Sequence, residues 1–201
     1  ILLFALPALA HAQEDAAPSV YSPEFCEFSV SFPGEPYKTR RCDEDNADKC
    51  YDLVSYTQVF DLDTTVNFRV ICNKINSEVR KTYSGDVMQA TLRAMTEDTV
   101  VKTYDTSFRE EEHYKQAGLV GEGEVGRSST IYIAQLWIGD ESAFSVEAEM
   151  IGSESEGADK LFSEILRSVN YKTDEPEVDS AEDEEGTSED SDKEEKPEAK
   201  D

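Results

Sequence analysis

Apolar and polar residues alternate in seven segments of the chain, the period expected of strands that bury one face. In the first segment, residues 25–32, one face is apolar and consists of Cys26, Phe28, Val30 and Phe32. Pro33 and Gly34 end this strand, and the polar, charged stretch up to residue 50 is predicted to be a loop. The other six predicted strands are residues 51–60, 66–75, 100–108, 114–125, 130–138 and 143–151.

Two further segments have the 3.6-residue period of helices that pack on a sheet. The first begins after Ser84, a residue type that caps helix N-termini, and runs to about Asp98. Its recurring positions are Val87, Met88, Thr91, Leu92 and Met95. The second begins at Ser153 and Glu156, which have the spacing of a capping box, and ends near Asn170. Its apolar stripe consists of Ala158, Leu161, Phe162, Ile165, Leu166 and Val169.

Hairpin-connected strands and two one-sided helices predict an α+β fold, in which an antiparallel sheet of six or seven strands is covered by helices. We assign it to a single domain, residues 24–172, after a flexible lead at 13–23. Residues 173–201 contain fifteen acidic and three basic residues and no aromatic residue. Such a segment cannot bury enough apolar surface to offset its chain entropy, so we expect a disordered acidic tail.

The start of the sequence predicts export. Its first twelve residues are apolar and end in Ala10-His11-Ala12, the small-x-small motif of a signal-peptide cleavage site. The apolar run is shorter than the ~20 residues that span a bilayer. We interpret residues 1–12 as a signal peptide remnant, which predicts a periplasmic or secreted protein without a membrane span.

The four cysteines allow three pairings into disulfides. Cys42 and Cys50 flank one short polar loop and are predicted to pair locally, which leaves Cys26 with Cys72, each on an apolar strand face. Loop-closure entropy gives about 2.5 kcal/mol for the short loop and about 4 kcal/mol for the long one. The rival interpretation is a zinc site of four thiolates, but the spacing contains no C-x2-C pair and disfavours it.

A first strand that ends in Phe32-Pro33, within Phe28-Ser29-Val30-Ser31-Phe32-Pro33-Gly34, resembles the opening of PsbP-like domains, named after the extrinsic subunit P of photosystem II. The mid-chain helix, the late hairpin and the helix around residues 161–169 are similar to that superfamily as well. The resemblance covers residues 24–172 and implies a PsbP-like α/β/α sandwich. It implies binding rather than turnover, because the superfamily is mostly non-enzymatic, and it transfers no functional residue.

The net charge of −26 favours a protein partner of positive charge and disfavours nucleic acid and anionic lipid surfaces. Closely spaced carboxylates at Asp43, Asp45 and Asp48 raise the hypothesis of a calcium site in the loop that the Cys42–Cys50 bond would close. The loop lacks the glycine and the bidentate glutamate of an EF-hand. The alternative is a solvated acidic loop without defined geometry.

Few residues suit catalysis. His113 is the one histidine after residue 12 and lies in a charged run, and no serine sits in a G-x-S-x-G elbow. Residues 121–126 match G-x-G-x-x-G, but two carboxylates lie within the motif and a strand pattern follows it, so we interpret the glycines as features of a twisted or bulged edge strand. Trp137 shares a hairpin face with Ile131 and Ile133 and is predicted to pack in the core.

The sequence therefore predicts an exported, non-catalytic domain that binds a protein partner. The first alternative is a calcium- or cation-binding envelope protein that uses the acidic loop. The second alternative is a hydrolase of unrecognised type.

Overall fold

A seven-stranded sheet lies at the centre of the fold in the computed structural model, which describes residues 17–42, 50–97 and 99–172. The strands are β1 (Ser19–Tyr21), β2 (Phe28–Phe32), β3 (Tyr37–Cys42), β4 (Cys50–Phe60), β5 (Thr64–Lys74), β6 (Val100–Glu110), β7 (Lys115–Val125), β8 (Ser128–Ile138), β9 (Ser142–Ile151) and β10 (Asn170–Tyr171). The helices are α1 (Ser77–Thr82), α2 (Gly85–Thr96) and α3 (Glu156–Arg167).

The strands form two antiparallel sheets. The large sheet has the order β3-β4-β5-β9-β8-β7-β6, and the small sheet has the order β1-β2-β10. The α+β fold class and the antiparallel sheet of six or seven strands predicted from the sequence are confirmed, although the first predicted strand, residues 25–32, pairs in the small sheet. Among the described residues, no helix has the length and apolarity needed to cross a membrane.

The small sheet and α3 cover one face of the large sheet, here called the α3 face, and α2 covers part of the other, the α2 face. On the α3 face, Phe28 and Phe32 of the small sheet and Phe162 of α3 belong to one core, together with side chains of β4, β5 and β9. On the α2 face, Met88 and Leu92 are fully buried in a second core against β7 and β8. The two covers lie over different strands, and none of the described helices lies above β6–β8 on the α3 face.

One predicted helix start is confirmed and the other is wrong. The Ser84 side chain accepts a hydrogen bond from the Val87 amide at 3.3 Å and caps α2. Helix α3 begins at Glu156 after Ser155, so the predicted capping box at Ser153 does not form. Ser153 instead contacts the turn between β4 and β5, because its hydroxyl donates to Asp63 at 3.0 Å.

Four elements lie where the sequence predicted none. Strand β1 lies within the segment assigned as a flexible lead, and β3 lies within the predicted polar loop. Strand β3 has no apolar alternation, and five of its six residues are exposed. Its pairing with β4 makes it a strand, which is tertiary context that local sequence does not contain. Helix α1 and the two-residue β10 are the other additions.

Two kinds of bond join the small sheet to the large one. Cys26 is disulfide-bonded to Cys72 of β5, and both side chains are buried. The second disulfide, Cys42–Cys50, joins directly paired residues of β3 and β4. Glu27 provides the other link, because its carboxylate accepts hydrogen bonds at 2.8–3.0 Å from the backbone amides of residues 140–142 and from the Ser142 hydroxyl. This carboxylate fixes the β8–β9 turn to the start of β2.

We expect Glu27→Gln to lower the free energy of unfolding by about 2–3 kcal/mol. In the wild type the backbone amides share two anionic oxygens, whereas in the variant the carboxamide would present an NH2 group to some of these donors. The matched control, Glu24→Gln, changes an exposed carboxylate and should stay within about 0.5 kcal/mol of the wild type. Urea unfolding of the three proteins measures the difference. Equal stability of the two variants would contradict the role given to Glu27.

Candidate functional site

A groove runs along β8 on the α3 face, where no helix covers the sheet. It consists of two adjoining depressions of about 340 and 230 Å³, and we call it the β8 groove. Ile131 lines the first depression and Ile133, two residues further along the same strand face, lines the second. The other residues that line the groove include Asp105, Ser107, Gln116, Gly118, Val120, Gln135, Met150, Ser153, Glu154, Asp159 and Leu166.

Strand alternation and one glycine shape the floor of this groove. Because side chains alternate along a strand, Ile131, Ile133 and Gln135 share one face of β8. Gly118 lies beside Gln135 in the register of β7 and β8. A Cβ atom at Gly118 would lie 2.8 Å from the Ser107 hydroxyl oxygen, so a side chain there would force this hydroxyl to rotate away. The missing side chain keeps the floor open between β6 and β8.

Helix α3 forms the wall of the groove. Leu166 packs partly against the core and also lines the second depression, and Asp159 lines the first. At one end, the Arg109 guanidinium lies 5.4 Å from the Trp137 ring and 5.5 Å from the Tyr114 ring. Such cation–π contacts hold the arginine flat over the aromatic side chains.

The groove is lined by charged and polar groups as well as by apolar ones. Three carboxylates line it, from Asp105, Glu154 and Asp159, and Glu122 is next to Ile131 in register. Glu122 accepts a hydrogen bond from Tyr104 and lies 3.7 Å from the Lys102 ammonium. Apolar floor residues together with amide, hydroxyl and carboxylate groups are the mixture found in protein interfaces.

A larger cavity, about 600 Å³, lies elsewhere, next to the start of α1. Two of its charged groups are already engaged by the fold. The Asp140 carboxylate is 2.5 Å from the Arg80 guanidinium, and the Lys74 ammonium lies 5.3 Å from the centre of the Phe25 ring. We therefore favour the smaller β8 groove, whose apolar floor has no such internal partner.

The sequence raised His113 as a candidate for catalysis and three aspartates as a candidate calcium site. His113 is exposed, and its ring stacks on Tyr171 at 6.0 Å between centroids. The calcium hypothesis for Asp43, Asp45 and Asp48 concerns residues outside the described ranges and stays a prediction. Within the described residues, no group of three or more His, Cys, Asp or Glu side chains is placed to hold a metal ion. Trp137 is buried in the core, as predicted.

The glycines of residues 121–126 lie in β7 and the following turn rather than in a phosphate-binding loop. A Cβ at Gly121 would lie 2.6 Å from the Val100 side chain, and one at Gly123 would lie 2.1 Å from the Thr99 carbonyl oxygen. Strand β6 is bulged between residues 100 and 105, directly opposite these glycines. The glycines therefore permit the close approach of a bulged edge strand, although the strand at the edge is β6 rather than β7.

A buried tyrosine on the α2 face is the clearest perturbed titratable group. Tyr132 donates its hydroxyl hydrogen bond to Glu147 at 2.9 Å, and Glu147 and Glu149 both pair with Arg69. Burial, followed by the charge of Glu147, raises the pKa of Tyr132 above its ordinary value. A perturbed pKa often marks a functional site, but here packing beneath α2 explains it.

No protein-family model matches the chain, and no curated protein matches it either. Among solved structures, it is similar to the cyanobacterial PsbP (CyanoP) of Synechocystis sp. PCC 6803, at 13% identity and a TM-score of 0.49, over 84% of this chain and 98% of that one. It is also similar to LpqN, a protein involved in cell envelope biogenesis of Mycobacterium tuberculosis, at 11% identity and a TM-score of 0.43, over 79% of this chain and 86% of that one. The predicted PsbP-like resemblance is thus found among solved structures as a likeness of fold, and it assigns no function to this chain.

The raised pKa of Tyr132 gives a pH test. The folded state holds a phenol proton that the unfolded chain releases above about pH 10, so this stabilisation is complete below that pH and is lost as the pH rises further. We expect Tyr132→Phe to be about 1 kcal/mol less stable at pH 7 and to lose less stability than the wild type between about pH 10 and 12. Urea unfolding across this range measures the effect, with the exposed Tyr37→Phe as control. Parallel pH curves for Tyr132→Phe and the wild type would contradict it.

Proposed function

We propose that this chain is an exported, non-catalytic domain that binds a protein partner through the β8 groove. The observation that carries the proposal is a strip of sheet with an apolar floor, over which none of the described helices lies. Val120 and Ile133 are partly buried there, so a partner that covers them would remove further apolar area from water.

The partner segment is expected to be cationic. Three carboxylates line the groove, and a fourth, Glu122, stands beside it. Arg109 lies at one end, over Trp137 and Tyr114. The chain as a whole has a net charge of −26, so long-range attraction would also favour a basic partner and repel an acidic one.

An oxidising compartment is part of the proposal. Both cysteine pairs are bonded, and the described residues contain no free thiol. Disulfides persist in the periplasm and outside the cell and are rare in the cytosol. Together with the signal-like residues 1–12, this supports a role in the cell envelope or beyond it.

The absence of an assembled catalytic group among the described side chains favours binding over hydrolysis. A histidine-based hydrolase needs a nucleophile and an orienting carboxylate within hydrogen-bond reach of the imidazole. The ring contact of His113 is the face of Tyr171, which supplies neither.

The role of the groove in binding can be tested by placing bulky side chains on its floor. Val120→Arg/Ile133→Arg places two bulky cations on the floor, and we expect it to weaken capture of basic proteins from envelope extract by roughly tenfold or more. The matched control is Thr57→Arg/Val59→Arg, which makes the same charge change at two exposed positions of β4 on the α2 face. Captured proteins are quantified by mass spectrometry at low salt, and thermal melts establish that both variants fold.

The expected result is one set of basic proteins that the wild type and the control retain and the groove variant loses. Equal recovery by the two variants would place the binding surface elsewhere. If the wild type recovers no protein above background at low salt, the binding proposal is wrong.

A further inference from the structure

We propose that the acidic segment at residues 174–192 docks on strand β3 of its own chain. This inference is independent of the β8 groove, because β3 lies at the opposite edge of the large sheet from β6. It rests on the exposed charges of β3, on the charge of the segment and on the length of chain that follows β10.

Strand β3 is a cationic edge in an acidic protein. Lys38, Arg40 and Arg41 lie within four consecutive positions, and all three side chains are exposed. Since β3 pairs with β4 on one side only, the other side of its backbone keeps donors and acceptors that no strand uses. Tyr37, which is 72% exposed, begins the same strand.

Two of these cations, Arg40 and Arg41, have no carboxylate partner among the described residues, in contrast to several other cations of the fold. Arg69, Arg80 and Lys115 each lie within 4.0 Å of a carboxylate. Among the carboxylates of residues 17–42, 50–97 and 99–172, none lies within that distance of the Arg40 or Arg41 guanidinium groups.

Lys38 has a single, solvent-exposed contact with Glu35 at 3.6 Å, and such pairs contribute little. Residues 43–49, which follow β3 in the sequence, also carry carboxylates, so the experiment must separate the two sources of negative charge.

The segment that follows the domain has the complementary charge. Between residues 174 and 192 the sequence contains eleven Asp and Glu and no Lys or Arg. Lys172, just before it, is fixed by bonds from its backbone amide to the Glu27 carbonyl and from its ammonium to the Pro23 carbonyl. The segment therefore starts from a defined point at the small sheet.

The acidic segment is long enough to reach β3. Nineteen extended residues span about 60 Å at roughly 3.3 Å each, whereas a domain of this size has a radius of gyration of roughly 15 Å. Because the segment is tethered, its local concentration at β3 is in the millimolar range, so weak individual attractions suffice to populate the docked state.

Docking would also protect the edge of the sheet from pairing with another chain. An exposed edge strand is a template for pairing with another chain, and charged side chains are one device that discourages it. An acidic segment lying along β3 would cover the open backbone and repel a second acidic copy. The contact is made by surface charges, so it should weaken strongly with salt.

Zero-length carbodiimide crosslinking of the full chain tests the proposal, because it joins a lysine ammonium only to a carboxylate in direct contact. Lys160 is the matched reference, since its ammonium is more exposed than that of Lys38 and has a similar loose pair, with Glu164 at 3.8 Å. We expect crosslinks from residues 174–192 to Lys38 to exceed those to Lys160 at least about fivefold at low salt, and to fall several-fold above about 0.5 M salt.

Charge variants locate the contact. Arg40→Gln/Arg41→Gln should reduce the Lys38 crosslinks at least about threefold, whereas Arg93→Gln/Arg127→Gln, which removes two exposed cations elsewhere, should leave them unchanged. A mixture of isotope-labelled and unlabelled chains distinguishes contacts within a chain from contacts between chains. Equal yields at Lys38 and Lys160, crosslinks of Lys38 to residues 43–49 alone, or crosslinks between chains alone would each overturn the proposal.

Discussion

The packing of β2 across the large sheet is the constraint on which the rest of the structure depends. Phe28 at the start of β2 has no exposed surface and contacts the rings of Trp137, Phe144 and Tyr171 at 5.6–5.7 Å between centroids. The neighbouring residues in sequence make the two links that hold this packing, the buried disulfide of Cys26 and the carboxylate bonds of Glu27. Burial supplies most of the free energy, and these polar links determine where β2 lies.

The position of α3, and with it the groove, follows from β2. The Ser168 hydroxyl, at the end of α3, accepts a hydrogen bond from the Ser31 amide at 2.9 Å, and β10 pairs with β2 directly after it. Helix α3 is thereby held over β5 and β9 rather than over β7 and β8. The wall at Leu166 and the open floor at Val120 both follow from this position of α3. The candidate interface is therefore determined by how the small sheet and α3 pack on the large sheet.

The sequence predicted the central sheet because its strands bury one face each, as at Val66, Phe68 and Val70 of β5. It did not predict β3, whose residues are nearly all exposed and whose strand state depends on β4. The groove was missed for a related reason. Alternation showed that Ile131, Ile133 and Trp137 share a face, and core packing was the natural expectation for all three. Trp137 is buried because Phe28 of the small sheet packs on its ring, whereas Ile131 stays 39% exposed because α3 lies over β5 and β9. Both placements depend on contacts distant in sequence.

The two links that hold β2 also belong to different stages of chain emergence. Cys26 and Cys72 both lie within the first 72 residues of the sequence, whereas the amides that bind Glu27 lie at residues 140–142. The Cys26–Cys72 disulfide can therefore form early and keeps the N-terminal strands near one another while the remaining strands fold. The hydrogen bonds to the Glu27 carboxylate can form only after the β8–β9 turn has formed. They therefore form only when the sheet is complete. In this architecture, emergence of the chain from its N-terminus first sets the order in which the two layers are joined.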